Sequence, residues 1–431
     1  MSAAPLPRLS VIVPSYDGRP MLVACLEGLR AQTLPQTEFE VLVVDNASTD
    51  GTSEWLQETR PEVALVRLEE NAGFAEANNR GAEVARGDWL VLLNNDAVPA
   101  PPFLEALATA AAENGAAAVA GRILDSVGEA VEFGGGELGV FGFGFQRSSW
   151  QPGFREQTDG GELPFACGGA MLVRRDRFRS LGGFDRDYFA YYEDVDLGWR
   201  LWLSGERVVY AARAEVRHLR HGTGRRFSER WRHFHWYKNA LQTLLKNAED
   251  PFLPRLFPVT LALLNSRVQA FYDDAVKAAD RKDEVEARRQ LEIAIGAAEG
   301  ISWVLARLDH VLEKRRLVQA QRRVGDRALS EKFGLRLDFG PEAAAWPENG
   351  LALQLLQLFD VSALLRPGQL DAAIGERLRE LRGEPPAQGV PGLRAERDQL
   401  AHDLACLRAS WSWRLTAPLR WLAGAARGAG R

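Results

Sequence analysis

Leu9-Ser10-Val11-Ile12-Val13-Pro14-Ser15-Tyr16-Asp17 and Val41-Leu42-Val43-Val44-Asp45-Asn46-Ala47-Ser48-Thr49-Asp50-Gly51-Thr52 share one design: a short apolar run that ends in a polar cluster. Trp89-Leu90-Val91-Leu92-Leu93-Asn94-Asn95-Asp96 repeats it. Continuous apolar strands, unlike alternating ones, are buried on both faces. Between them, Met21, Cys25, Leu26 and Leu29 recur at helical spacing, and Phe74, Ala77, Asn78, Gly81 and Ala82 do so more weakly. Strands alternating with helices predict an α/β fold with a mostly parallel sheet covered on both sides.

Working outward, residues 133–161 carry nine glycines, Gly134–Gly136, Gly139, Gly142, Gly144, Gly153, Gly160 and Gly161. They read as a loop or a pair of short hairpins outside the core. A strand over Ala170–Val173 and a helix from about Asp194 to Ser204 follow. Pro251, Pro254 and Pro258 mark a boundary. Residues 259–333 are helical and charge-rich, with Asp273–Arg289 as a solvated face. Short amphipathic pieces such as Leu351–Leu365 follow, and a tail begins near Gly392. Three units are expected: 1–245, 246–390 and 391–431.

Composition narrows the function. The 431 residues are 46% hydrophobic and 26% charged, which is ordinary for a globular chain. A net charge of −5 gives no case for nucleic acid. Three scattered cysteines, Cys25, Cys167 and Cys406, suit a reducing cytoplasm and no disulfide framework. No signal sequence and no run of 18 apolar residues is seen.

In an open parallel sheet, ligands bind beyond the carboxyl ends of the strands. Three consecutive strands here deliver polar, mostly acidic groups to one edge. Each cluster taken alone also reads as helix capping, since Asp, Asn, Ser and Thr are preferred there. A Gly-x-Gly-x-x-Gly turn and a Walker loop are both missing, which excludes those two nucleotide folds.

Val11–Tyr16, Val43–Gly51, Asn71-Ala72-Gly73-Phe74-Ala75 running to Asn78-Asn79-Arg80-Gly81, and Leu92–Asp96 together resemble glycosyltransferase family 2. So do Gly168–Arg175, Gly182-Gly183-Phe184-Asp185 and Tyr192-Glu193-Asp194-Val195-Asp196-Leu197. The similar subgroup is the rhamnosyltransferase-like enzymes of bacterial surface-polysaccharide synthesis, over about residues 8–245. The resemblance implies a GT-A fold, followed here by a mainly helical C-terminal region. It also implies a nucleoside-diphosphate sugar donor, UDP- or dTDP-linked, with dTDP-rhamnose the first expectation. Pro14 and Tyr16 would flank the base, and Asp45 would accept from its ring N–H. Asn71, Phe74 and Asn78 would line the nucleotide. Asn94-Asn95-Asp96 stands where the family has Asp-x-Asp, so Asn94 and Asn95 join the donor set. Asp96 remains as the ligand of Mg²⁺ or Mn²⁺, whose shell the diphosphate would complete.

By the same resemblance Asp194 is the general base in an inverting displacement, and Glu193 orients it or meets the acceptor. Capping of the following helix is the alternative for both. His218 would close the metal site, with Thr223 as the family's small hydroxyl residue and His221 undecided. Arg225, Arg226 and Tyr237-Lys238-Asn239 would meet diphosphate or anionic lipid, or else form a solvated face. The aromatics of the glycine-rich segment (Phe133, Phe141, Phe143, Phe145, Trp150 and Phe154) read equally as an acceptor-side loop or as a partly buried hairpin.

Residues 404–431 hold five arginines and no acid, with Trp411, Trp413 and Trp421 among leucines. That suits an interfacial membrane helix, or a protein-docking one, after a short coiled coil at Leu393–Leu407. The acceptor is expected to be a saccharide or a polyprenyl-linked one. The expected location is the cytoplasm, peripheral to the inner membrane. The reading from another class is a catalytically silent scaffold of a polysaccharide assembly complex.

Overall fold

The computed structural model describes residues 8–151, 153–219 and 227–336, with 355, 358 and 359. His221, Thr223, Arg225, Arg226 and the tail from 391 lie outside the described residues.

Among the described residues, eleven strands and eleven α-helices follow one another in the order β1 (Leu9–Ser15), α1 (Arg19–Arg30), β2 (Phe39–Asp45), α2 (Thr52–Thr59), β3 (Ala64–Arg67), α3 (Gly73–Val84), β4 (Trp89–Leu93), β5 (Ala97–Pro99), α4 (Phe103–Asn114), β6 (Ala118–Leu124), β7 (Val131–Phe133), β8 (Gly136–Leu138), β9 (Gly144–Gln146), β10 (Ala170–Arg174), α5 (Arg175–Ser180), α6 (Glu193–Leu203), β11 (Val208–His218), α7 (Glu229–Asn247), α8 (Leu253–Asp280), α9 (Glu284–Ala306), α10 (Leu308–Ala320) and α11 (Asp326–Phe333). The main sheet runs β3-β2-β1-β4-β10-β6-β11-β5, with β7 added beside β6. This is the mixed sheet flanked by helices of a GT-A fold.

The first half is parallel. β1 pairs with β2 from Leu9↔Phe39 to Ser15↔Asp45, and with β4 from Leu9↔Trp89 to Ile12↔Leu92. Pro14 lies inside β1, beyond the last β4 pair, so its missing N–H leaves no gap in the ladder. The register aligns Ser15 with Asp45, which sets the two polar ends side by side. The second half departs from parallel order. β10 is antiparallel to both β4 and β6, while β11 is parallel to β6. A strand that returns through a loop excursion, as β10 does after residues 134–169, needs no crossover helix to lie antiparallel.

The glycine-rich segment holds a short hairpin, β8–β9, as one of its two expected forms, but its aromatics correct the expectation that it lies outside the core. Phe133 and Phe141 are fully buried, and Phe143 and Phe145 nearly so. Trp150 alone of these is largely exposed, at 50%. The β8–β9 hairpin packs under α6 and α7: Phe143 meets Tyr192 and Tyr237 edge-on. A Cβ on Gly142 would lie 2.4 Å from the carbonyl oxygen of Ala240. The glycines therefore permit close packing of backbone against helix.

The helical region opens with α7, which runs through residue 245 and packs along α9; α9 in turn packs along α8. Pro254 sits in the first turn of α8, a favoured starting position, and Pro258 lies within that helix. Among the described residues no helix is long and apolar enough to cross a membrane.

Candidate functional site

The ends of β1, β2 and β4 form one polar edge. Asp45 is fully buried there. Its Oδ1 accepts from the Ser48 amide at 2.9 Å, and its Oδ2 accepts from the Ser53 hydroxyl on α2. This carboxylate closes a turn and faces no solvent, so the structure does not bring it to an open base-binding position. Asp17 links the neighbouring strand end: its amide donates to Ser48 Oγ (3.0 Å), and its Oδ1 accepts from the Thr49 amide (2.7 Å). Pro14 is buried and Tyr16 half-buried beside it.

Asn46, which sequence reading passed over, ties β2 to α3. Its Oδ1 accepts from the Ala72 amide (2.9 Å), and its Nδ2 donates to Asn71 Oδ1 (2.8 Å). Asn71 also receives the Gly73 amide at 3.1 Å. Asn78 is buried and donates back to the Phe74 carbonyl at 2.9 Å. The side chains expected to line a nucleotide thus brace the α3 entrance, leaving half-buried Phe74 and Tyr16 as the open surfaces.

Gly168-Gly169 joins this edge to the carboxylates of α6. The Gly169 carbonyl accepts from the Asn94 amide at 3.0 Å, and the Gly168 amide donates to Asp194 Oδ2 at 2.9 Å. A Cβ on Gly168 would touch Phe74 (3.2 Å), Asp194 and Glu193 (both 3.5 Å). The strand end bearing Asn94-Asn95-Asp96 and the helix start bearing Glu193-Asp194 therefore flank the same two glycines, although they lie far apart in the chain. Asn95 is buried and donates to Ser15 Oγ at 3.0 Å.

Asp194 and Glu193 have different environments. Asp194 is half-buried and takes two amides, Gly168 at one oxygen and Val195 at the other (2.8 Å). Glu193 is buried, and among the described residues its Oε2 has no hydrogen-bond partner. Burial first, and the Asp194 charge second, push the Glu193 carboxyl well above the usual range. Burial also raises Asp194, but the amides of Gly168 and Val195 oppose it. The pair thus favours the proton on Glu193 and the charge on Asp194. Asp196, the third acid of the run, is fully buried and bound by Arg200 (2.8 Å) and Lys246 (3.0 Å). It belongs to the framework.

The backbone before these acids is strained. Among the described residues six non-glycines have positive φ, and Phe189, Tyr191 and Tyr192 are three of them. Such residues cost about 1–3 kcal/mol each and need outside support. α7 gives it. The Asn239 side-chain amide donates to the carbonyls of Tyr188, Ala190 and Tyr191 at 3.1, 2.9 and 2.7 Å. His235 Nδ1 lies 3.1 Å from the Tyr188 carbonyl, Lys238 donates to the Asp187 carbonyl, and Lys246 bridges Asp185 (2.7 Å) and Asp196. Lys238 and Asn239 are buried. They hold this loop, and the expectation that the run meets diphosphate or forms a solvated face is corrected.

Asp96 is buried, and its Oδ1 stands 3.3 Å from His218 Nε2, at the end of β11. His218 Nδ1 lies 2.8 Å from Glu132 Oε2. Burial disfavours the imidazolium, yet the two carboxylates outweigh it and raise His218 to about 9. Among the described residues no three His, Cys, Asp or Glu side chains gather closely enough to hold a metal alone. Asp96 and His218 do converge as one oxygen and one nitrogen ligand, a donor set that suits a divalent cation whose remaining ligands come from a diphosphate. A cavity of about 550 Å³, lined by Glu76, Asp185, Asp187, His310 and Lys314 among others, involves none of these strand-end residues.

Residues 10–182 match the family model described as glycosyl transferase family 2. That match stops before Glu193, His218 and the helical region. The N-acetylglucosaminyl-diphospho-decaprenol L-rhamnosyltransferase of Mycobacterium tuberculosis is 33% identical over 241 residues, covering 50% of this chain and 78% of that protein. The O-antigen biosynthesis protein RfbC of Myxococcus xanthus is 32% identical over 230 residues, covering 49% of this chain and 17% of that protein. Among solved structures, S. aureus TarS 1-349 in complex with UDP-GlcNAc has a TM-score of 0.47 at 16% identity, covering 89% of this chain and 94% of that one.

Proposed function

The chain belongs to glycosyltransferase family 2, and from that premise we propose that it moves a sugar, rhamnose first, from a UDP- or dTDP-sugar to a saccharide or polyprenyl-linked acceptor in cell-surface polysaccharide synthesis. The observation that carries this reading is the Gly168-Gly169 junction, with Asn94 on one side and Asp194 on the other. The mycobacterial relative, named a rhamnosyltransferase acting on a diphospho-decaprenol sugar, supports the choice of sugar and acceptor class.

Asp194 takes the proton of the acceptor hydroxyl as its oxygen attacks the anomeric carbon opposite the diphosphate, inverting configuration. A positioned base contributes on the order of 10²–10⁴-fold. Glu193, carrying its proton, offers a hydrogen bond to the acceptor. Tyr16 and Phe74 supply surfaces for the base and ribose. Asp96 and His218 hold a divalent cation, Mg²⁺ or Mn²⁺, which when bound neutralises charge on the departing diphosphate. Residues 1–245 carry the chemistry, α8 to α11 form the helical part of the unit that follows, and the basic Trp/Arg tail meets an anionic membrane surface.

A screen of nucleotide sugars with Mg²⁺ or Mn²⁺, scored by nucleoside diphosphate release, tests the reading. Release from dTDP-rhamnose above the other donors is expected. Asp194→Asn is expected to lose transfer by a factor on the order of 10²–10⁴ while binding dTDP as before. Undiminished turnover in that variant would overturn the assignment of the base.

A further inference from the structure

Glu132 is an acid that the reading above does not use, and it is buried, at 8% exposure. A carboxylate in such a place is costly unless something binds it. It sits on β7, which pairs with one edge of β6 through Ile123↔Phe133 and Leu124↔Val131. β11 pairs with the other edge through Leu124↔Arg217, and His218 then lies opposite Ala97, the residue after Asp96. Three chain segments thus bring Glu132, His218 and Asp96 to one place. Glu132 Oε2 is 2.8 Å from His218 Nδ1, and Asp96 Oδ1 is 3.3 Å from Nε2.

A neutral imidazole donates from one nitrogen and offers a lone pair at the other. Once a cation has displaced the Nε2 proton, a carboxylate against Nδ1 keeps the remaining proton there, so the lone pair falls on Nε2, and it also stops the ring from turning. We propose that Glu132 is a positioning residue of the cation site: it accepts the Nδ1–H of His218 and keeps Nε2 directed to the point that Asp96 also faces. This rests on the reading of Asp96 and His218 as cation ligands, and the test separates the two. Glu132 touches neither donor nor cation.

Mn²⁺ is titrated into the full chain with dTDP present, and free Mn²⁺ is read by its paramagnetic resonance signal. His218→Ala is expected to lose most of the Mn²⁺ affinity. Glu132→Gln, nearly the same size, is expected to weaken it by about 10–100-fold, the usual cost of removing such a partner. Ring ¹⁵N spectra of the chain with Mg²⁺ and dTDP are expected to show His218 protonated at Nδ1, and a mixture of tautomers in Glu132→Gln. Should Glu132→Gln fail to fold, Glu132→Asp, one methylene too short to hold the 2.8 Å contact, gives the same readouts. If His218→Ala binds Mn²⁺ like the native chain, the cation reading falls and the role of Glu132 with it. If His218→Ala loses Mn²⁺ while the Glu132 variants stay within about twofold of native and keep one tautomer, the positioning role alone is overturned.

Discussion

The donor-side edge and the loop that carries the proposed base are built in opposite ways. At the ends of β1 and β2, Asp17, Asp45, Asn46, Ser48 and Asn71 hold one another over separations of at most 32 residues. The loop from Asp185 to Tyr192 is held from α7, by residues 47 to 61 positions further along the chain, and at its start also from α10, where Lys314 binds Asp185 and Asp187 and His310 binds Asp187. The first edge is supported by its own turns. The second is strained by itself and takes its shape from helices further along the chain, α7 above all. A change in α7 should therefore reach Asp194 and spare the donor side.

The sharpest way to break this contrast is Lys246→Met. It removes the cation that Asp185 and Asp196 share; Asp185 keeps Lys314 and Asp196 keeps Arg200, so the loss is that of charge-assisted hydrogen bonds, about 1.5–3 kcal/mol. Urea unfolding reads it, and a loss under about 1 kcal/mol would mean that the loop is held without α7. Asn239→Ala comes next. The Ala190 and Tyr191 carbonyls lose the Asn239 amide, while Tyr188 keeps the Ala190 amide, so about 1–3 kcal/mol is expected. A kcat lower on the order of tenfold to a hundredfold is expected with an unchanged donor KM. A raised donor KM with kcat intact would reverse the assignment of the two regions.

His235 gives a pH test. Burial first, and the nearby Lys238 charge second, lower it to about 3 from an ordinary 6.5. The unfolded chain takes up a proton near 6.5 and the folded chain does not until about 3, so stability falls as pH drops through that window. Native protein should lose about 2 kcal/mol between about pH 7 and about pH 5 that His235→Gln does not lose. Equal slopes would show that the ring is protonated in place. The smallest effect expected is that of Asp45→Asn. The Ser48 amide keeps its acceptor and the Ser53 hydroxyl can reverse its bond, so under about 1 kcal/mol should be lost, with donor KM within about twofold. A rise of about tenfold, near 1.4 kcal/mol, would return Asp45 to the base-binding role that its burial argues against.

The parallel half of the sheet was legible because strands buried on both faces must be apolar throughout, and their polar ends stand out. The three acids of Glu193-Asp194-Val195-Asp196 were not separable in that way. Their roles depend on what faces them among the described residues: two amides for Asp194, no partner at Glu193 Oε2, and Arg200 with Lys246 for Asp196. Tyr237-Lys238-Asn239 carries polar groups and so reads as surface, but its partners are backbone carbonyls, which leave no mark in side-chain sequence. Glu132 was hidden because its partner lies 86 residues away across a shared strand. The glycine-rich segment misled for a related reason: glycine serves both mobile turns and tight contacts, and only the neighbour at Gly142 tells which.

Because α7 reaches across to the loop ahead of Asp194, sequence position is a poor guide to where this molecule can be cut and rejoined. A chimera that exchanges acceptor preference with a relative would need its joint beyond Ala320, so that α7 and α10 both travel with the loop they grip. Joined ahead of Glu229, the two parents would contribute mismatched halves of one clasp, and the hybrid would load its donor and stall.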